Sequence, residues 1–522
     1  MHLQILADSI NLLVMKPARS SKIANRPFLE GRCPSGVEGL DDILSGGLAP
    51  DSFYLIQGDP GSGKTTLALQ FLLEGVRRGE SVFYVTLSET RAELLNVARS
   101  HGWSLEKIPL MEMSAIEQLL RPEEQTTVFH PSEMELNKIS KLLIDEAKKT
   151  RPKRVVFDSL SEFRLVAGTP LRYRRELLNL KQHFARLKST VLLLDDKMGS
   201  GIDPHILSLS HGVVEMEQLS PDYGISRRRL RVLKFRGIKF REGYHDYMIE
   251  TGGLRIFPRL IAAEHHTKFR RQSVSSGIKP LDDLFGGGLD RGTTTLILGP
   301  AGTGKSTLAL QFARQMARNG ERSVFFAFDE TRGIMLARAK AMGLGLEPDM
   351  KRGLITVQQV DSAELSPGEF ASRIRQRVNE GCKLIVIDSL NGYLNAMPGE
   401  RYLNNQLHEL SSYLNQQGVV TILVLAQHGL VTTAEAPVDL SYLSDMVIIL
   451  RFFEALGEVK QSIAVIKKRS GHHEKTIREL KLEAGKGIRV GKPLKQFQGV
   501  LTGVPVFHGS AGEIMSARDA EH

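Results

Sequence analysis

Residues 58–65 read GDPGSGKT, and residues 299–306 read GPAGTGKS. Both fit G-x-x-x-x-G-K-[ST], a run whose glycines let backbone N–H groups converge on a phosphate-sized anion where side chains would block it. No other feature restricts the fold as tightly. The run needs a strand to deliver it and a helix N-terminus behind it, so it demands a strand–loop–helix unit. It occurs twice, with Lys64 and Lys305 standing 241 residues apart.

The flanks repeat as well. PSGVEGLDDILSGGLAP (34–50) matches SSGIKPLDDLFGGGLDR (275–291), TLALQF follows both loops, and GESVFYVTLSETR (79–91) matches GERSVFFAFDETR (320–332). A motif recurring by chance would not carry its surroundings, so a whole domain is duplicated. The length of 522 residues accommodates this, since a domain takes roughly 100–200 residues.

Within each copy, short apolar runs alternate with stretches of helical periodicity. The first copy gives FYLIQ, SVFYVTL, RVVFD, TVLLLD, VVEME and RRLRVLKF; the second gives TTLILG, SVFFAF, KLIVID, VVTILVL, MVIILRF and QSIAVIKK. Near-continuous apolar strands separated by helices predict an α/β fold, a mainly parallel twisted sheet flanked by helices in each copy. The expected division is a flexible segment at 1–25, a first domain at 26–260, a second at 261–505 and a tail at 506–522.

In this setting each loop becomes a phosphate cradle. Gly58, Gly61, Ser62, Gly63, Lys64, Thr65 and Thr66 line the first; Gly299, Gly302, Thr303, Gly304, Lys305, Ser306 and Thr307 line the second. The lysines reach the terminal phosphates of ATP, and the hydroxyls of Thr65 and Ser306 ligate Mg²⁺. Asp158 and Asp388 end the apolar strands RVVFD and KLIVID, where a carboxylate can hold the same ion, although an acid there can also cap a helix. A base must orient the attacking group. Ser88-Glu89 and Asp329-Glu330 end the strand after each cradle helix, on the rim where parallel strands finish, so Glu89, Asp329 and Glu330 are the candidates. Asp329 is a further candidate metal ligand. Capping of the next helix is the alternative role for these residues.

With these motifs in place, the chain resembles the KaiC family, two-domain circadian clock ATPases and autokinases of the RecA superfamily. The resemblance runs from about Pro34 to Pro505 and takes in ARSHGW (98–103), LKFRG (233–237), RIFP (255–258) and KKRSGHHEKTIREL (467–480). It implies tandem RecA-like P-loop domains and a hexamer of two stacked rings with ATP between subunits. Lys234, Phe235 and Arg236, and Lys467, Lys468 and Arg469, then match residues that reach a neighbour's nucleotide. Ser100 matches a nucleotide contact. From the residues alone, RRRLRVLKFRGIKFR reads instead as a solvated edge strand blunted by charge. The family's first domain mainly hydrolyses ATP, and its second phosphorylates hydroxyls on its own ring; Ser441 falls on the first acceptor and Tyr442 where threonine is expected.

The chain also departs from the family. Ser88 stands where the base is usually credited, so either Glu89 takes over or first-domain hydrolysis is impaired. Asp329 is one methylene shorter than the expected glutamate. Met342 stands at an aromatic position near the second adenine. The ending SAGEIMSARDAEH is unlike the tail that binds the activator KaiA, which puts a KaiA-type partner in doubt and leaves a KaiB-like partner open.

Composition bounds the alternatives. The net charge of +10 admits a nucleic-acid-dependent RecA-type ATPase, but there is no zinc-ribbon cysteine set and no separate basic domain. A scaffold switched by bound nucleotide, with little turnover, is the third reading. Two cysteines make no disulfide framework. No apolar stretch is long enough to span a bilayer, and the N-terminal charge order is wrong for a secretory signal, so a cytoplasmic protein is expected.

Overall fold

The computed structural model describes residues 31–112, 131–197, 204–220, 224–395, 403–427, 441–455, 457–501 and 505–508. The expected 1–25 segment and the end of the chain after His508 lie outside these residues.

The first large sheet holds β1 (Phe53–Gly58), β2 (Val82–Thr86), β3 (Leu110–Glu112), β4 (Arg154–Asp158), β5 (Thr190–Asp196), β6 (Gly212–Leu219), β7 (Arg227–Phe235), β8 (His245–Glu250) and β9 (Gly253–Phe257). Their order is β3-β2-β4-β5-β1-β6-β7-β8-β9. The strands from β3 to β6 run parallel, while β7, β8 and β9 add on antiparallel. After the short pair β10 (Ser273–Val274) and β11 (Leu289–Asp290), a second sheet repeats the plan. It contains β12 (Thr294–Gly299), β13 (Arg322–Ala327), β14 (Ile355–Gln359), β15 (Cys382–Asp388), β16 (Val420–Ala426), β17 (Met446–Ala455), β18 (Glu458–Lys468), β19 (Arg478–Glu483) and β20 (Gly487–Pro493). The order β14-β13-β15-β16-β12-β17-β18-β19-β20 is that of the first sheet, element for element. The expected pair of mainly parallel, helix-flanked sheets is the architecture observed.

Every residue of β1 and β4 is buried because helices cover both faces. Side chains alternate across a strand, so Tyr54 and Ile56 enter one core with Leu67, Phe71 and Leu72 of the cradle helix. Phe53 and Leu55 enter the other, with Phe157, Leu177 and Phe184. The second unit has the same two-sided core. This sandwiching fixes the strand ends where the cradles sit.

One expectation is corrected. The basic strand β7 is not an edge: it pairs with β6 on one side and β8 on the other. Arg229 binds Glu217 and Arg231 binds Glu215, at 2.8 and 2.6 Å, and both guanidinium groups stack on Tyr244. Cross-strand carboxylates, rather than solvent, meet that charge.

Candidate functional site

Each cradle begins at the C-terminal end of its sheet's central strand. The loop turns through Gly63 at φ 90° and Gly304 at φ 94°, and the helices Lys64–Arg77 and Lys305–Arg318 start at the next residue. Glycine is required there twice over, for the left-handed backbone and for space. A Cβ would lie 2.7 Å from Ile249 Cδ1 at Gly63 and 2.8 Å from Leu482 Cδ1 at Gly304. Ser62, Thr303, Thr66 and Thr307 are buried behind the loops.

The two lysines fold back over their own loops. Lys64 Nζ donates to the carbonyls of Gly58 and Asp59, at 2.9 and 3.0 Å, and lies 2.9 Å from Asp196 Oδ1. Lys305 Nζ donates to Gly299 and Pro300, at 2.8 and 2.6 Å. Burial pulls the Lys305 ammonium down to about 8, with Asp388 acting against that shift. Each ammonium therefore sits at the mouth of the anion cradle.

Behind the lysines stand the two strand-end aspartates. Thr65 Oγ1 donates to Asp158 Oδ2 at 3.0 Å, and the Tyr84 hydroxyl donates to the same oxygen at 2.7 Å. Asp388 Oδ2 is buried without a hydrogen-bond partner. Burial raises both carboxyl pKa values, opposed at Asp158 by the Tyr84 and Thr65 hydroxyls and at Asp388 by the Ser306 hydroxyl, Arg338 and Lys305. Among the described residues no three acidic, histidine or cysteine side chains gather to cage a metal. A hydroxyl beside a carboxylate suits Mg²⁺, which takes few protein ligands and shares itself with substrate phosphates. The residues present fit that ion.

The candidate bases differ between the copies. Glu89 keeps Oε2 buried and without a hydrogen-bond partner. Burial, reinforced by Asp158 and Glu93, pushes its carboxyl up to about 7. Ser88 is exposed. Glu330 is instead held by Arg338, with contacts of 3.0 and 2.8 Å, and Asp329 accepts from the Ser389 hydroxyl. Helix capping falls to neither pair. Thr90 caps the helix Arg91–Ser100 with Glu93 closing the box, and Thr331 caps Arg332–Ala341 by accepting from the Ile334 N–H.

The remaining candidates are not brought to their own cradles. Gly58 stands beside Met216 in the β1–β6 pairing, whereas Tyr54 stands beside Gly212, which pairs with Phe235. Lys234, Phe235 and Arg236 are therefore at the other end of the sheet. Phe235 is buried against Tyr54, while Lys234 and Arg236 donate to the carbonyls of Leu207 and Ser208. Lys467, Lys468 and Arg469 lie likewise beside Met446 and Thr295, opposite the Gly299 end. Lys467 donates to Ser444, Lys468 to Phe285, and Arg469 to Tyr442. Ser100 lies on the exposed surface and donates to Val97. Ser441 opens the short turn Ser441–Leu443; its side chain lies outside the described residues.

Two contributors carried no warning in the sequence: Tyr84 has Phe325 at its place in the second copy, and Arg338 reads as a surface helix residue. Asp196 follows TVLLLD on the rim where the parallel strands finish, but reads there as a strand end. Only the folded proximity of distant segments reveals them.

Comparison with known proteins gives a consistent result. A family model described as the ATPase KaiC matches residues 33–261 and again residues 274–495. The chain is 26% identical over 485 residues to the circadian clock oscillator protein KaiC of Acaryochloris marina, covering 90% of each chain. It is 26% identical over 488 residues to the protein of that name from Synechococcus elongatus, covering 90% of this chain and 91% of that one. The Parathermosynechococcus lividus protein is 27% identical over 492 residues, covering 90% and 87%.

Proposed function

Because the chain belongs to the KaiC family of ATPases, we propose that it binds ATP with Mg²⁺ at both cradles, hydrolyses it, and in its second unit transfers phosphate to Ser441 of a neighbouring copy in a hexameric ring. The observation that carries this reading is the twofold separation of each cradle from its basic triplet. From Tyr54 to Gly58 the strand alone spans roughly 13 Å at about 3.3 Å per residue. Lys234 and Arg236 therefore cannot serve the phosphates of their own chain, and they suit a phosphate presented by another copy. The turn at Ser441 lies at the same far end, since Asp445 N–H donates to Thr294 O at the start of β12. An acceptor placed there takes phosphate in trans.

The geometry supports the following division of roles. The loop N–H groups and the helix N-termini hold the phosphates. Lys64 and Lys305 exchange backbone carbonyls for phosphate oxygens, and Thr65, Asp158, Ser306 and Asp388 would hold the Mg²⁺, which neutralises charge on the phosphoryl oxygens. In the first unit Glu89 accepts a proton from the attacking water. In the second, the Ser441 oxygen bonds to the γ-phosphorus as the bond to the bridging oxygen breaks and ADP departs; the hydroxyl proton passes to the Asp329–Glu330 pair. Lys467 and Arg469 of the acceptor's copy supply trans positive charge. The known relatives are named as clock oscillator proteins, and a timing role is the corresponding proposal for this chain.

Intact-mass and phosphopeptide measurements after incubation with Mg-ATP test the kinase step, on wild type and Ser441→Ala. The expected result is one added phosphate on wild type, mapped to Ser441 and lost in the variant. ADP accumulating with no added phosphate would overturn the kinase assignment and leave an ATPase.

A further inference from the structure

The two base pairs occupy equivalent positions, but their surroundings do not match. In the first copy the residue eight positions after Glu89 is Val97, and Glu89 Oε2 is left without a partner. In the second copy the residue eight positions after Glu330 is Arg338, which grips both oxygens of the Glu330 carboxylate. This guanidinium is only partly exposed, at 37%, and Glu330 is less so, at 21%. One charge-assisted hydrogen bond, from Nη1 to Oε1, together with the close ion contact of Nη2 with Oε2, restrains the carboxylate at two points. Burial raises the Asp388 carboxyl, and Arg338 opposes that rise ahead of Lys305. A cation has been built into the second cradle that the first does not have.

We propose that Arg338 is a positioning residue that withholds Glu330 from water and so slows hydrolysis in the second unit relative to the first. The inference rests on the reading that the second cradle turns over ATP. Water is small and free to rotate, and its attack depends on a base that both orients it and takes its proton. A serine hydroxyl is already held by its own chain and needs less orientation. Restraining the base therefore penalises water more than it penalises a tethered acceptor, and ATP lasts long enough to be used for transfer. The first copy, lacking the clamp, is left free to hydrolyse.

The test uses the full chain in a Glu89→Gln background, which silences the first unit. Steady-state ADP release is compared for Arg338→Val, which copies the first unit, for Arg338→Lys, and for Arg338→Val combined with Glu330→Gln. The expected result is a several-fold rise in kcat for Arg338→Val with KM for ATP unchanged, a smaller rise for Arg338→Lys, and no rise once Glu330 is absent. Phosphate incorporated per ADP released should fall in parallel. An unchanged kcat overturns the clamp while leaving second-unit turnover intact. A reduced kcat at constant KM also overturns it, since Arg338 would then act on the transferring phosphoryl group. If the parent variant releases no ADP and Arg338→Val releases none either, both the clamp and the turnover it acts on are excluded.

Discussion

In the proposed mechanism Glu89 carries the heaviest demand of any single residue, because Ser88 has no carboxylate to share the work. Its raised pKa has a direct kinetic sign. A base acts only when deprotonated, so in a Lys305→Ala background ATP turnover should climb with pH and level off above about 7, the value to which burial lifts this carboxyl. Glu89→Gln should flatten that profile and slow turnover by about 10²–10⁴-fold, the usual contribution of a positioned base. A sharp rise through pH 7 that survives the substitution would assign the ionisation elsewhere. Arg154 makes a different demand. Fully buried, it binds Glu80 Oε2 at 2.5 Å, donates to the carbonyls of Pro34 and Phe71, and lies over the Phe71 ring. Arg154→Ala strands these acceptors in the core and should lower the first unit's urea stability by about 3 kcal/mol. Arg154 was illegible in the sequence because its partners lie far away along the chain. The glycines, lysines and strand-end aspartates were legible because their chemistry depends on close spacing.

Among the elements, the sequence revealed most clearly those buried on both faces. The runs around β1, β4, β5, β12, β15 and β16 are apolar almost throughout, as parallel strands under two helical layers must be. The antiparallel additions β8, β9, β19 and β20 escaped that reading. HDYMIE and RELKLE mix charged with apolar residues, because only part of each strand is covered. The helices after the candidate bases allow a paired prediction. Thr90 and Glu93 satisfy each other's backbone N–H groups, whereas Ile334 cannot return such a bond to Thr331. Thr90→Ala should destabilise its helix by about 1 kcal/mol and Thr331→Ala by less. Hydrogen exchange over 91–100 and 332–341 reads both; equal losses would show that the box adds nothing. The cap also anchors the backbone next to Glu89, so its loss should lower first-unit turnover.

At the scale of the whole molecule, duplication gives both units the same layout, which the proposed ring would complete in the same way. Each has a cradle at one end of its sheet and a basic triplet at the other, an arrangement suited to head-to-tail closure of a ring. Chains carrying Lys64→Ala and chains carrying Lys234→Ala with Arg236→Ala should each lose first-unit turnover, and mixing them should restore part of it. Wherever an intact cradle meets an intact triplet, a working site re-forms. No recovery on mixing, with subunit exchange verified, would place the triplet outside the reaction. The separation was not legible in the sequence, where Lys64 and Lys234 are simply two basic residues; register across β1, β6 and β7 creates it. Arg229 and Arg231 are paired with carboxylates of the neighbouring strand, so these two charges of the basic run need no nucleic-acid partner. Among the described residues no helix is long and apolar enough to cross a membrane.

The central claim is that one chain holds two working nucleotide sites. The most direct measurement counts nucleotide bound per chain after isolation from Mg-ATP, on wild type, Lys64→Ala, Lys305→Ala and the double variant, alongside ADP release. The account predicts two nucleotides for wild type, one for each single variant with turnover reduced but present, and none for the double. A single nucleotide on wild type, or undiminished binding in the double variant, would contradict it.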